Sequence, residues 1–327
     1  MKKVAGINGF GRFGLHLLKY WLDRSSESSF CIKYINDDKL TIYEAYKIIL
    51  NDEFVVFNKY NIKILEDRIR FLKPDGEINE IVFSNLKKED IFWIGEPELF
   101  FECSGKNTLK QDSSIFLKHK TETVIISATS WDADKTIVYG FNHEDFDYNK
   151  KIISYGSCTV NAYVPLANYI NTGYEVIDSD VNVIHNIQKY RLNENYTLNR
   201  KFCTLEKSGK TLLPFINENN FVVNYTVIPY PGVSIIDYRF RIKNHIDVNQ
   251  FYENLKTECD EGTLQGLYEV EEQDLGPEVI NCSTFSSVII KKGIKIINDQ
   301  IYIFSYFDNE NSVNRYFDLV TYISNNT

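Results

Sequence analysis

The 327-residue sequence has no block of lysine and arginine, no CxxC pair, no internal repeat, no low-complexity tract and no apolar run approaching a membrane span. Each absence excludes something. Without a basic stripe, and with a net charge of -9, the chain is not expected to take nucleic acid as its main partner. Without a run of about 20 apolar residues it is not expected to span a membrane. Lys2 and Lys3 precede only a short apolar run, broken by Gly6 and Asn8, which is unlike a secretory leader. Six cysteines, at 31, 103, 158, 203, 259 and 282, match no metal or redox spacing. Free thiols in a reducing cytoplasm are the simplest expectation. The 22 Tyr and 22 Phe are scattered, so they read as core and interface bulk and not as a base-stacking platform.

Hydrophobic residues make up 43% of the chain, enough for sizeable cores without disulfides, and the length suits two domains. Residues 3–8 read as a buried strand, 9–14 (GFGRFG) as a glycine-rich turn, and the run up to Arg24 as a helix. Residues 30–36 form the next strand, and 40–50 a helix. The segment 61–85 holds two strand-like pieces around the turn Lys73-Pro74-Asp75-Gly76. Strands follow at 99–103 and 123–127, with a helix-like stretch between them. Alternating strands and helices predict a Rossmann-type parallel α/β sheet. From 152–157 the chain enters a turn and then a helix. Beyond about residue 175 the runs FVVNYTVIPY, SIIDYRFRI and QIYIFSYF alternate as antiparallel strands do, with helices at 248–260 and 311–324. The predicted organisation is a first domain over 1–157, completed by the C-terminal helix 311–327, and a second, antiparallel-sheet α+β domain over 158–310.

Two constellations carry chemistry. Gly9, Phe10, Gly11, Arg12, Phe13 and Gly14 form G-x-G-x-x-G between a strand and a helix. That context lets a pyrophosphate approach the backbone and sit on the helix N-terminus. Asp37 ends the next strand, where a carboxylate holds ribose hydroxyls and repels the extra phosphate of NADP, so the expected cofactor is NAD. Asp38 is a second candidate for that role. The other constellation is Ser157-Cys158-Thr159 at the entrance to a predicted helix. There the dipole and free N–H groups favour a thiolate and can stabilise an oxyanion. His185, in VNVIHN, is the candidate base. A cysteine, a histidine and NAD together imply aldehyde oxidation through a thiohemiacetal and a thioester.

These residues together resemble the glyceraldehyde-3-phosphate dehydrogenase family over nearly the whole chain. The likeness rests on INGFGRFG (7–14), YGSCTVNAYVP (155–165), PYPGVSIIDY (229–238) and FDNENSVNR (307–315), with weaker echoes at ECSG (102–105), VIISATS (124–130) and YGFNHEDF (139–146). The resemblance implies a cytoplasmic homotetramer of glycolysis. It assigns the nicotinamide carboxamide to Asn309, places Ser104, Gly105 and Ser127 along the cofactor, and puts Ser157 and Thr159 near phosphate.

The departures concern phosphate. Gln188 replaces a threonine three residues after the histidine, Val227 replaces an arginine, and the segment 186–210 is shorter, with no recognisable S-T-G turn. Valine offers neither charge nor a donor. Losing one charged hydrogen bond costs about ten- to a hundredfold in binding. Replacement cations are available in Lys189, Arg191, Arg200, Lys201, Arg239 and Arg241. The candidate substrate set is therefore Ser157, Thr159, Gln188, Arg191 and Arg239. The default expectation is oxidation of glyceraldehyde 3-phosphate with the acyl group released to inorganic phosphate. Other sugar aldehydes (erythrose 4-phosphate-like or non-phosphorylating), a reductase running toward aldehyde, and a non-catalytic, regulatory NAD-binding paralogue stay open.

Overall fold

A computed structural model describes residues 2–187, 200–230 and 232–326, except for the side chain of Asn309. The chain divides into two compact units. One is Met1–Gly156 with Tyr316–Thr327, and the other is Ser157–Arg315.

The first unit holds a nine-stranded sheet. Its strands are β1 (Lys3–Asn8), β2 (Phe30–Asn36), β3 (Asn61–Leu65), β4 (Arg68–Leu72), β5 (Ile78–Ser84), β6 (Leu99–Glu102), β7 (Thr123–Ile126), β8 (Lys135–Thr136) and β9 (Ile152–Ser154). Their order is β3-β4-β5-β2-β1-β6-β7-β9-β8. The ladder is parallel from β5 to β8, and antiparallel only in β3–β4 and β4–β5. Where the sequence suggested two pieces over 61–85, there are three strands. Glu66, at φ +53, turns β3 into β4 without a glycine to announce it.

Helix α1 (Arg12–Asp23) buries Leu15, Leu18, Trp21 and Leu22, the spacing of one helical face. Helix α2 (Ile42–Asn51) starts at a capping box. Thr41 Oγ1 accepts from Glu44 N–H, and the Glu44 carboxylate accepts from Thr41 N–H. The helix-like stretch after β6 yields only α3 (Lys110–Ser113) and a 3-10 turn at Ser114–Phe116. The parallel strands are buried on both faces, with Ile7, Ile35, Phe101 and Ile125 fully enclosed.

The second unit opens with α4 (Cys158–Tyr174), followed by β10 (Val176–His185), α5 (Thr204–Leu212), β11 (Phe221–Val227) and β12 (Ser234–Ile242). Next come α6 (Val248–Glu261), β13 (Tyr268–Glu271), α7 (Pro277–Ile280), β14 (Ser287–Ile290), β15 (Lys295–Ile297), β16 (Gln300–Phe307) and the start of α8 (Asn309–Asn325). Strand order is β11-β10-β12-β16-β14-β13, with β15 on β16. The sheet is mostly antiparallel; the edge pairs β10–β11 and β13–β14 are parallel. An α/β parallel-sheet unit plus a mainly antiparallel α+β unit is the architecture the sequence pattern predicts.

Pro165 lies inside α4, where it cannot donate to the Asn161 carbonyl one turn back. Tyr268 Oη fills the gap. It sits 3.2 Å from Asn161 O and accepts from Leu166 N–H at 3.2 Å, while Tyr238 Oη donates to Ala162 O at 2.8 Å. Two buried tyrosines from the sheet thereby hold the helix whose first residue is Cys158. Among the described residues, no helix is long and apolar enough to cross a membrane, and no cluster of His, Cys, Asp or Glu is placed to hold a metal ion.

Candidate active site

In the first unit the chain leaves β1 through Gly9, at φ +98, a conformation that favours glycine. A Cβ there would lie 2.4 Å from Ser104 Cα. A Cβ at Gly14 would lie 2.2 Å from Gly9 O, so α1 packs directly on the turn. Gly11 differs. A Cβ there meets nothing within 4 Å, and Gly11, as N-cap of α1, brings no side chain to cap the helix. The open side of the turn is the helix N-terminus itself.

Asp37, at the end of β2, is held by three backbone donors: Phe10 N–H at 2.8 Å, Lys39 N–H at 2.9 Å and Leu40 N–H at 3.0 Å. Asp38 points elsewhere and pairs with Lys106. Beside the turn is a cleft of about 290 Å³, bordered by Asn8, Gly9, Asp38, Lys88, Ser104 and Asn107. It lies at the ends of β1 and β6, where the strand order reverses on either side of β1, the position at which open α/β sheets bind ligands. Glu102 beneath it is buried, which raises its pKa. Hydrogen bonds from Ser104, Asn8 Nδ2 (2.7 Å) and Asn107 Nδ2 (3.0 Å) oppose that rise.

The other first-unit candidates are not among the residues that border this cleft. The side chains of Phe10 and Phe13 are committed to packing, against Phe83 and against Tyr155 and Tyr316. Arg12 pairs with Asp52 and lies over Phe54, so its backbone is what it offers the turn. Gly105 takes φ +68, and Ser127 N–H donates to Glu102 O at 2.9 Å.

In the second unit Ser157 is the N-cap of α4, accepting from Val160 N–H at 3.3 Å, and Cys158 is the first helical residue. His185 ends β10. The two meet: Cys158 Sγ is 3.4 Å from His185 Nε2. His185 Nδ1 is 2.8 Å from Asn186 O. Since a carbonyl only accepts, Nδ1 carries the proton and Nε2 is free to accept from the thiol. Burial pushes the Cys158 thiol up to about 12; nearby Cys203 adds to this, and the Thr159 N–H opposes it. Burial also lowers the His185 pKa. Burial thus opposes charge on both members of the pair.

Sequence reasoning missed what lies beside Ser157. Helix α5 begins at Thr204, and Thr204 Oγ1 is 2.9 Å from Ser157 Oγ, which is 3.1 Å from Thr159 Oγ1. Cys203 Sγ lies 3.6 Å from Thr159 Oγ1. Three hydroxyls thus gather at two helix N-termini, next to the thiol.

The substrate candidates fare differently. Gln188 and Arg191 lie outside the described residues, as does the side chain of Asn309. Arg239 is a correction. His185 is on the buried face of β10 with Val181 and Val183, whereas Arg239 projects from the other face of the sheet and pairs with Asp180 at 3.2 Å. Arg241 does the same with Asp178. Arg200 donates to Val223 O at 2.8 Å and faces Glu206. Val227 is the register partner of His185, so the missing arginine leaves an apolar side chain on the strand beside the base.

No protein-family model matches the chain. Individual proteins do. It is 26% identical to a cytosolic glyceraldehyde-3-phosphate dehydrogenase of Dianthus caryophyllus, over 97% of each chain. It is also 26% identical to glyceraldehyde-3-phosphate dehydrogenase 2 of Caenorhabditis briggsae, over 99% of this chain and 98% of the relative. A third, glyceraldehyde-3-phosphate dehydrogenase 1 of Bacillus cereus, is 26% identical over 99% of each. The chain is similar to these dehydrogenases end to end, at a distance.

Proposed function

We propose that the protein is an NAD-dependent aldehyde dehydrogenase, with glyceraldehyde 3-phosphate as its default substrate, Cys158 as nucleophile and His185 as base. The observation that carries this reading is the 3.4 Å approach of Cys158 Sγ to an imidazole whose Nδ1 is anchored on a carbonyl.

The first unit fits a dinucleotide. Gly9 and Gly14 leave no room for a Cβ, the N-terminus of α1 is open at Gly11, and Asp37 is fixed at the end of the neighbouring strand. Phe10, Gly11, Arg12 and Phe13 would offer backbone to the pyrophosphate, Asp37 the ribose contact and Ser104 the edge of the cleft, while Gly105 and Ser127 keep the cofactor contacts the resemblance implies. Asn309 retains its assignment from the resemblance. When bound, NAD supplies the acceptor for the hydride that leaves the reacting carbon.

The chain's own residues handle the rest. His185 Nε2 takes the thiol proton as Cys158 Sγ adds to the aldehyde carbon. The same Nε2–H then gives that proton to the hemiacetal oxygen, and Nε2 takes it back as the C–H electron pair departs and the carbonyl of the thioester reforms. Backbone N–H groups at the start of α4 stabilise the oxyanion. The Ser157–Thr159–Thr204 hydroxyls, at two helix N-termini, suit an anion such as inorganic phosphate, whose attack on the thioester releases an acyl phosphate while the proton on His185 Nε2 returns to the departing sulfur and restores the thiol. The similarity to proteins named cytosolic supports a cytosolic enzyme, and the resemblance supports a homotetramer.

Absorbance of NADH in the presence of NAD and glyceraldehyde 3-phosphate, with and without phosphate or arsenate, tests this. Phosphate-dependent turnover is expected. NAD binding with no turnover would refute the substrate assignment. Val227 beside His185 favours a second reading, in which the aldehyde lacks the phosphate an arginine would hold. Erythrose-type and unphosphorylated sugar aldehydes are then the substrates to assay.

Asp37→Ala gives a separate outcome. The variant is expected to lose roughly ten- to a hundredfold in NAD affinity, the worth of a charged hydrogen bond, and to discriminate less against NADP. Isothermal titration with both dinucleotides measures this; an unchanged preference would move the role to Asp38.

A further inference from the structure

A neutral His185 can accept the thiol proton only while its own proton sits on Nδ1, and the acceptor that holds it there is the Asn186 carbonyl, at 2.8 Å. Which ring nitrogen carries hydrogen is set by the bond the other one makes. The tautomer therefore depends on where the peptide after His185 points.

That peptide lies just past the last pair of the β10–β12 ladder, Ile184 with Ile235. Side chains take over from there. Asn186 N–H donates to Ser234 Oγ at 3.0 Å, and the Ser234 hydroxyl donates back to Asn186 Oδ1 at 3.2 Å. Asn186 Nδ2 donates to Gly232 O. Backbone bonds fix the residues on either side: Ile228 N–H donates to His185 O at 2.9 Å, and Ile187 N–H to Tyr230 O at 3.2 Å. The anchor is itself held. Ser234 is fully buried at the start of β12, and its register partner on β16 is Phe307, whose ring stands edge-on to His185 with centroids 5.6 Å apart. A buried hydroxyl thus spends its donor and an acceptor lone pair on one residue, the residue whose carbonyl holds the base.

We infer that Ser234 and Asn186 are positioning residues: the ring of hydrogen bonds between them fixes the Asn186 carbonyl on His185 Nδ1 and so keeps Nε2 bare toward Cys158. They act through His185 and not on the substrate. The inference rests on the reading of His185 as base, and adds what keeps that base in the accepting tautomer.

The test uses the full-length protein with nitrogen-15 in the imidazoles of its five histidines. Solid-state nitrogen-15 spectra report the tautomer without turnover, and His185→Asn assigns the signal by its loss. The wild type is expected to show the proton on Nδ1 alone. Ser234→Ala leaves Asn186 N–H and Oδ1 without their partner, and is expected to add the Nε2–H form. Its kcat should fall roughly ten- to a hundredfold, part of what a positioned base supplies. Its KM should stay within about twofold, since substrate contacts are not altered. Ser234→Thr returns the hydroxyl and is expected to recover the single tautomer and most of kcat, a rescue that a loss of packing would not show. Ser234→Ala with the proton still on Nδ1 alone and a wild-type kcat overturns the inference, as does a wild type protonated on Nε2. If Ser234→Ala does not fold, Asn186→Ala, at a half-buried position, is read in the same way. A wild type that holds the proton on Nδ1 but oxidises no aldehyde would instead sink the dehydrogenase reading, and the tautomers of the variants would still decide this one.

Discussion

Cys158→Ser is expected to lower kcat/KM by roughly 10⁴-fold or more while leaving NAD affinity within about threefold of wild type. Serine preserves the N1 position of α4 and nearly the same volume, so the fold has no reason to change. The chemistry does. A hydroxyl is far harder to deprotonate than a thiol, and here even the thiol is pushed up to about 12 by burial. Burial thus disfavours a resting thiolate, and on the proposed mechanism the proton leaves through His185 as the carbon–sulfur bond forms.

That geometry fixes the pH dependence. His185 must be neutral at Nε2 to act as base, and burial places its pKa below the ordinary 6.5. The active form is thus fully present above that point and is lost as pH falls through the lowered value. The kcat/KM profile is expected to be flat across neutral pH, with its acid limb below about 6.5. An activity that instead climbs steadily above pH 8 would mean that free thiolate is the reactant and that His185 is not the base. His185→Asn should cost roughly 10²–10⁴-fold by the loss of general base catalysis. Full activity in Cys158→Ser would remove the proposed nucleophile outright.

Much of this was legible in the sequence, and the exceptions have physical causes. Gly9 and Gly14 declare a strand–turn–helix because a Cβ at either would collide with backbone, and Gly9 also takes φ +98. Cys158 after Ser157 declares a capped helix start. The meeting of Cys158 with His185 is different, since it depends on β10 running under α4, which spacing cannot supply. Helix α5 was invisible for a reason that can be named. Its buried face is Leu205, Ser208 and Gly209, with Phe221 packed against the glycine, so Leu205 is the one large apolar side chain on that face to announce a helix. With α5 unseen, Thr204 could not be joined to Ser157. Arg239 shows the limit of alternation in a strand. Period two placed it correctly with Asp237 and Arg241, but it does not say which of the two faces holds the chemistry.

Gly9→Ala and Gly11→Ala should separate what the glycine turn does for the fold from what it does for a ligand. At Gly9 the new methyl would collide with backbone, 2.4 Å from both Ser104 Cα and Ser104 N, at a φ of +98 that alanine avoids. Neither strand end can yield, because Gly9 N–H is tied to Asn36 O and Cys103 N–H to Asn8 O, each at 2.7 Å. A loss of roughly 2–5 kcal/mol in stability is expected from strain and overpacking together, with NAD binding lost alongside. At Gly11 the methyl meets nothing within 4 Å. Replacing glycine by alanine at an N-cap changes stability by only about a few tenths of a kcal/mol to one. The variant should therefore melt close to wild type, and any loss of NAD affinity must come from the ligand itself. If a pyrophosphate lies against the turn, the methyl occupies its place, and affinity is expected to fall by roughly a hundredfold with the fold intact. Calorimetric melting and NAD titration on the two variants read this directly. Unchanged NAD affinity in Gly11→Ala would mean that the open end of α1 is not where the phosphates sit, however well the turn matches its sequence pattern.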